Sequence, residues 1–283
     1  MRQPENIPDH PLPDGMRHDA GDDVRGGIGA AAPQRVAVRK VYLFATCVVD
    51  LFVPEAGMDT VAVLAHAGIE AVFPSGQTCC GQPAYTTGFP EDARAVARAQ
   101  LDLFPEPWPI VVPSGSCAGM MRHHWPRLFA EDAALKAQAD AIAERVVEFS
   151  DFIVDRIDFS SLRDEPLQVC LHTSCSARRE TGAFASARRV LGALPGVELL
   201  VQDHEPECCG FGGTFSVKHP EISAAMAGDK VDAITATQCD GFVSGDCGCL
   251  LNLNATLERR GAALRGTHLA TLLRARLPGR DAA

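Results

Sequence analysis

No run of about 18 apolar residues occurs in this 283-residue sequence, and its opening, MRQPENIPDHPLPDG, lacks the basic-then-apolar pattern of a secretory signal. No membrane span is expected, and the expected location is the cytoplasm. Aromatic residues are scarce at 6%, and basic charge is in deficit, 26 Lys and Arg against 36 Asp and Glu, for a net charge of −10. A phosphate backbone finds little to bind on such a chain, so nucleic acid is not an expected partner. A dinucleotide fingerprint is also missing. Gly27-Ile28-Gly29 is at best a fragment of one, and no predicted strand precedes it. With 46% hydrophobic and 22% charged residues, the composition is that of a globular protein and excludes disorder throughout.

Cysteine is abundant, at eleven residues. In a secreted chain these would suggest disulfides. In an acidic chain with no signal they point to reduced thiols, and so to metal or redox chemistry. The length suits one large domain or two small ones. Residues 1–35 hold ten Pro or Gly and no apolar periodicity, and are read as a disordered tail.

From Val41 short apolar runs alternate with amphipathic stretches, the pattern of parallel α/β structure. Strands are predicted at Val41–Phe44, Ala71–Phe73, Ile110–Val112, Gln168–Leu171, Glu198–Val201 and Gly241–Ser244. Helices are predicted near Gly57–Ala67, Glu91–Phe104, Phe184–Ala193 and Glu221–Thr237, and a long helical stretch at Asp132–Glu148 separates two similar halves.

In the first half VYLF leads to Cys47, then Cys79-Cys80-Gly81, then SGSC with Cys117. In the second half QVCL leads to Cys175, then Cys208-Cys209-Gly210, then SGDCGC with Cys247 and Cys249. The lone cysteine precedes the pair by 32 and 33 residues, and the last cysteines follow it by 37 in one half and 38 or 40 in the other. The fold class read from this is α/β, two similar parallel-sheet modules in an internal duplication. The first module spans 36–163 with its linking helices and the second spans 164–283.

Loops beyond the carboxyl ends of parallel strands collect functional groups, and helix N-termini there favour thiolate, the form that binds metal. Four thiolates per half suit zinc or an iron–sulfur cluster. Structural zinc prefers cysteines two to four residues apart, whereas vicinal side chains diverge and reach two irons of one cluster more naturally. Iron–sulfur is the better fit. Cys170, inside a strand, and Cys239, at a helix end, are read as core packing, while Cys247 and Cys249 both remain candidates at the last position.

Thr46, Ser116 and Ser174 each precede a candidate ligand and either tune a cluster or cap a helix. Gly81, Gly210, Gly212 and Gly213 allow positive φ and close backbone approach, and the GFGG run suits a cleft lining. His172 is read either as structural or as a donor to a cluster, His123 and His124 as a solvated turn, and His204 as exposed. Asp246 is a candidate cleft group and Lys218 a surface charge, while Arg178 and Arg179 are candidates for holding a carboxylate.

CCGQPAYTTG at 79–88, PSGSC at 113–117, HTSC at 172–175, ECCGFGGTFSVKHPEIS at 207–223 and CLLN at 249–252 resemble the CCG-type iron–sulfur proteins, and within them the lactate utilization protein A family. The resemblance runs from about Val41 to Arg276. It implies a cytoplasmic iron–sulfur subunit of a complex that oxidises L-lactate, a small 2-hydroxy acid, to pyruvate. It also implies companion iron–sulfur and accessory subunits, and one or two clusters per chain, of the [4Fe-4S] type.

Carried over position by position, it gives Cys47, Cys79, Cys80 and Cys117 as one ligand set and Cys175, Cys208, Cys209 and Cys249 as the other, with Cys247 as a possible substitute. Met120 and Asn252 stand where the related heterodisulfide reductase subunit has a fifth cysteine in each half, which sets this chain apart from that form. The alternatives are a related complex oxidising glycolate or glycerol-3-phosphate and, from other classes, a zinc-stabilised scaffold or a thiol–disulfide enzyme working through Cys79-Cys80. The last would need a strained small ring.

Overall fold

The computed structural model describes residues 38–279, so the expected N-terminal tail and the Gly27-Ile28-Gly29 segment lie outside the described residues. Among the described residues, eight strands form two four-stranded sheets. The first holds β1 (Lys40–Leu43), β2 (Glu70–Val72), β3 (Ile110–Val112) and β4 (Val146–Glu148) in the order β2-β1-β3-β4. The second holds β5 (Leu167–Leu171), β6 (Val197–Leu200), β7 (Gly241–Ser244) and β8 (Gly266–His268) in the order β6-β5-β7-β8. Every pairing is parallel, as helical crossovers between successive strands require. The chain is an α/β protein with its architecture repeated.

The repeat holds residue by residue. Tyr42 pairs with Ile110 as Cys170 pairs with Phe242, and Val112 pairs with Glu148 as Ser244 pairs with His268. In each sheet the chain leaves the first strand toward one edge and the third toward the other, so their loops part and open a crevice at the carboxyl ends.

β4 and β8 carry the main departures from the sequence reading. The stretch Asp132–Glu148 is not one helix. Asp132 caps a helix over Ala133–Ala143, its carboxylate accepting from the Ala134 and Leu135 N–H groups at 3.1 Å each, and Val146–Glu148 is a strand.

The helix that follows β4, Phe149–Ile153, packs on helix Ala183–Ala193 of the second half, and the helix that follows β8, Leu269–Arg276, packs on helix Pro54–His66 of the first. This exchange knits the halves into one apolar cluster containing Leu64, Phe149, Phe152, Leu191 and Leu273. Each such side chain withdrawn from water contributes roughly 1.5–3 kcal/mol. The two sheets are thereby held with their crevices facing a common space.

Each exchanged helix begins on a buried side-chain cap at equivalent positions. His268 Nδ1 accepts from the Ala270 N–H at 3.1 Å, which leaves Nε2 to donate to the Pro113 carbonyl of the other half at 3.2 Å. Glu148 accepts from the Ser150 N–H at 2.7 Å and the Asp151 N–H at 3.3 Å, and burial pushes its carboxyl up to about 8. The unfolded chain releases this proton near pH 4.5 whereas the folded chain holds it to about pH 8. Between those values the folded state binds more protons, so this group's contribution to stability is full below the window and is lost as pH rises through it.

Glu148→Gln keeps an accepting oxygen and removes the titration. Urea unfolding at pH 5 and pH 8 should show wild type losing on the order of a few kcal/mol more than the variant across that range. Parallel pH profiles would contradict this account.

Candidate metal centre

β1 and β5 each end in an apolar run and turn directly into a short helix led by cysteine, Cys47–Phe52 and Cys175–Glu180. Thr46 and Ser174 cap these helices, their hydroxyls accepting from the Val49 N–H at 3.4 Å and the Ala177 N–H at 3.2 Å. Thr46 does so at φ 70°, a left-handed value that costs a β-branched residue on the order of 1–3 kcal/mol and aims Cys47 inward. Ser116 is no cap. It lies inside helix Gly115–Gly119 and donates its Oγ–H to Asp246 Oδ1 at 2.6 Å.

The vicinal pairs sit in loops that close on glycine. Gly81 and Gly210 take φ 87° and 82°, and their N–H groups point back to Cys79 and Cys208 Sγ at 3.4 Å each. A Cβ at Gly210 would stand 2.6 Å from the Ser223 carbonyl oxygen, so no larger residue fits there. The second cysteine of each pair is anchored through its carbonyl, by the Trp125 Nε1–H to Cys80 and by the Asn252 Nδ2 group to Cys209, both at 2.8 Å. Asn252 thus has a structural task.

Ahead of Cys208 the loop is clamped by the buried Lys230, which donates to the His204 carbonyl and to that of Glu205 at 3.3 Å.

Eight thiols converge. In the first half Cys47 Sγ lies 3.6 Å from Cys79 Sγ, and Cys80 Sγ lies 3.3 Å from Cys117 Sγ. Hydrogen bonds from Cys47 and Cys80, together with the Gly81 N–H, bring the Cys79 thiol down to about 3, while hydrogen bonding and burial hold Cys47 and Cys80 up. The second half repeats this. Cys208 is brought down to about 2 by Cys175, Cys209 and the Gly210 N–H, and Cys175 and Cys209 are held up. In each quartet the first cysteine of the vicinal pair is thus the thiol favoured to ionise, and thiolate is the form that takes a metal. All eleven cysteines are free thiols.

Both quartets line one cavity of about 390 Å³ between the halves, with Thr46, Ser116, Ser174, Gly212 and Gly213 also in its wall. Register separates the two last cysteines. Ser244 occupies the place of Val112, so Cys249 falls where Cys117 does and Cys247 where Gly115 does. Cys247 opens helix Cys247–Arg259 and packs among Ala45, Val49 and Leu250 while touching the cavity wall, and burial raises its thiol. Cys170 and Cys239 lie outside the wall, buried in the same apolar cluster.

His172 is fully buried, and burial lowers its imidazole to about 3, so it is neutral at any physiological pH. One of its ring nitrogens and the Sγ atoms of Cys209 and Cys249 lie within 4.8 Å of one another. This donor set suits a soft metal. Thiolates dominate it, two glycine N–H groups already face sulfur, and a neutral imidazole stands among them.

The cavity wall includes groups the sequence reading passed over. His124 was expected on a solvated turn. It lies instead on a π-helical turn, Met120–His124, stacks on Tyr85 with ring centres 4.6 Å apart, and meets Glu180 Oε1 with Nε2 at 3.1 Å across the halves. Its position follows from the π-turn, which rotates it inward, a feature common at functional sites and invisible in a single sequence. Arg178, a candidate for a substrate carboxylate, is occupied by Glu205 and lies over the Phe184 ring at 3.8 Å, whereas Arg179 stands exposed in the cavity wall. His204 and Lys218 are exposed. No described helix is long and apolar enough to cross a membrane.

The cysteine-rich domain family, CCG, matches this chain twice, at residues 41–122 and 169–254. Over 240 residues the chain is 39% identical to lactate utilization protein A of Bacillus velezensis, covering 84% of this chain and 100% of that one. Lactate utilization protein A of Macrococcus caseolyticus is 37% identical over 235 residues, covering 83% of this chain and 96% of the other. Among solved structures, a hypothetical protein from Helicobacter pylori superposes with a TM-score of 0.62 at 7% identity, over 86% of this chain and 50% of that one, a likeness of fold alone.

Proposed function

The chain belongs to the lactate utilization protein A family, built on two copies of the cysteine-rich CCG domain, and from that membership we propose that it is the iron–sulfur subunit of a cytoplasmic complex that oxidises L-lactate to pyruvate. The observation that carries the reading is the convergence of two thiol quartets, contributed by both halves, on one cavity. Cys47, Cys79, Cys80 and Cys117 would hold one centre, and Cys175, Cys208, Cys209 and Cys249 the other. Clusters of the [4Fe-4S] type bound there supply one-electron redox capacity.

The remaining work belongs to the chain. Cys80 and Cys209 keep sulfur out of water, being 1% and 3% exposed, and the Gly81 and Gly210 N–H groups donate toward the ligand sulfurs, which favours the reduced state. Arg179, at the cavity wall, is placed to meet the carboxylate of a small 2-hydroxy acid or of a companion subunit. Clusters held by these cysteines would give the chain the redox capacity to carry electrons from lactate between companion iron–sulfur and accessory subunits.

Anaerobic reconstitution with iron and sulfide tests the reading. The expected product is brown, with iron and acid-labile sulfide in equal amounts, and is reduced by lactate when the companion subunits are added. Colourless protein holding about one zinc per thiolate quartet and no sulfide would overturn it in favour of a zinc-stabilised scaffold.

A further inference from the structure

The two quartets repeat each other in sequence and register, yet their surroundings differ at one position. Phe44 and His172 are equivalent. Each follows the first strand of its sheet, and each donates its backbone N–H to the equivalent carbonyl, Phe44 to Val111 at 3.0 Å and His172 to Val243 at 2.8 Å. Both side chains are fully buried. The first quartet therefore has a hydrocarbon ring at its back, and the second has an imidazole.

Neither ring nitrogen of His172 has a hydrogen-bond partner. A buried polar group left in that condition costs about 1–3 kcal/mol, a cost that coordination at the neighbouring sulfurs removes. The nearest sulfurs are Cys209 and Cys249 Sγ, which with one of the ring nitrogens form a group whose members all lie within 4.8 Å of each other.

We propose that His172 supplies an imidazole nitrogen to the second metal centre beside Cys209 and Cys249, in place of the Cys175 or the Cys208 thiolate, so that one chain carries two unlike centres, all-thiolate in the first half and mixed nitrogen–sulfur in the second. The proposal rests on the iron–sulfur reading above. Its consequence is directional. A neutral nitrogen leaves the centre less negatively charged than a thiolate does, and centres with histidine ligands have more positive reduction potentials than their all-cysteine counterparts. The second centre is the more readily reduced, and an electron that enters at the first half runs on to the second.

The test uses the full chain, reconstituted anaerobically and partly reduced, prepared with natural-abundance or nitrogen-15 histidine. Pulsed electron paramagnetic resonance should show the coupling of a bound imidazole nitrogen in one of two signals, and a redox titration should give two separated potentials. His172→Phe, which installs the residue of the first half, should abolish the nitrogen coupling and remove or shift negatively the more positive potential, while the first signal stays. His172→Asn, with folding checked by thermal melting, covers the case in which the larger ring is not accommodated.

Iron and sulfide uptake without nitrogen coupling in wild type, or a coupling and a pair of potentials unchanged by both substitutions, would overturn the inference and leave the iron–sulfur reading standing. A chain that takes up neither iron nor sulfide would instead defeat that underlying reading.

Discussion

A chain carrying both Cys80→Ser and Cys209→Ser is expected to emerge from anaerobic reconstitution with almost no iron. These two sulfurs are the most buried of the vicinal pairs, and Cys80 reaches to within 3.3 Å of Cys117. A serine hydroxyl fills the same space but stays protonated at neutral pH and is a hard oxygen donor, ill matched to a centre that selects thiolate. The single variants carry more information. With one centre per quartet, Cys80→Ser and Cys209→Ser should each lose about half of the iron and a different half of the redox signal. If either single substitution removed all of it, the two quartets would instead share one centre across the cavity.

Cys170→Ser and Cys239→Ser serve as controls that should keep full iron, because neither thiol lines the cavity. Cys247→Ser should keep it too, since the strand register puts Cys249, not Cys247, in the place of Cys117. Iron and sulfide counts, with circular dichroism to confirm folding, check the double variant and all five single ones.

How much of this was legible in the sequence differs from element to element. β1, β3, β5 and β7 are short, strongly apolar runs ahead of glycine, serine or threonine, and the sequence reading places all of them within one residue of where they lie. They are central strands, and burial on both faces writes itself into composition. β4 and β8 are edge strands of three residues, and Gly266-Thr267-His268 has no apolar signal. Their stability comes from the exchanged helices and from the Glu148 and His268 caps, which are long-range facts that a window of sequence does not contain.

The cysteine spacing likewise pointed to two quartets, because a duplicated pattern is visible without coordinates. That the quartets face one cavity depends on the helix exchange, which no spacing encodes. His124 and Glu180 are 56 residues apart and meet only because the halves do. Between Cys247 and Cys249 the spacing left a choice of 38 or 40 residues after the pair, and only the pairing of Ser244 with His268 counts the residues from a fixed point.

Asp246→Ala is expected to cost the protein more stability than any other single change at the cavity wall. The carboxylate is 4% exposed and lies where the halves meet. Its Oδ1 accepts from Ser114 Oγ at 2.7 Å, Ser116 Oγ at 2.6 Å and the Ser116 N–H at 3.2 Å, all from the first half, and its Oδ2 accepts from Ser174 Oγ at 2.5 Å in the second. Hydrogen bonds to a charged group contribute about 1.5–3 kcal/mol each, and they do not add fully because the hydroxyls share one acceptor. Leaving those donors without the charge they surround should cost about 3–5 kcal/mol.

For a chain of this size that corresponds to a fall in Tm of about 6–20 °C, measured on the metal-free protein so that lost metal does not enter the comparison. Asp246→Asn keeps an oxygen for Ser114 and Ser116 but presents an amide N–H to Ser174, and should fall between wild type and alanine. The same residues flank Cys117, Cys175 and Cys249, so a loosened network also frees the sulfurs to wander, and Asp246→Ala should bind iron less tightly even where it folds. A variant melting within about 2 °C of wild type would mean that the carboxylate does not hold the halves together, and the joint would then have to be sought in the apolar cluster around Phe149 and Leu273 alone.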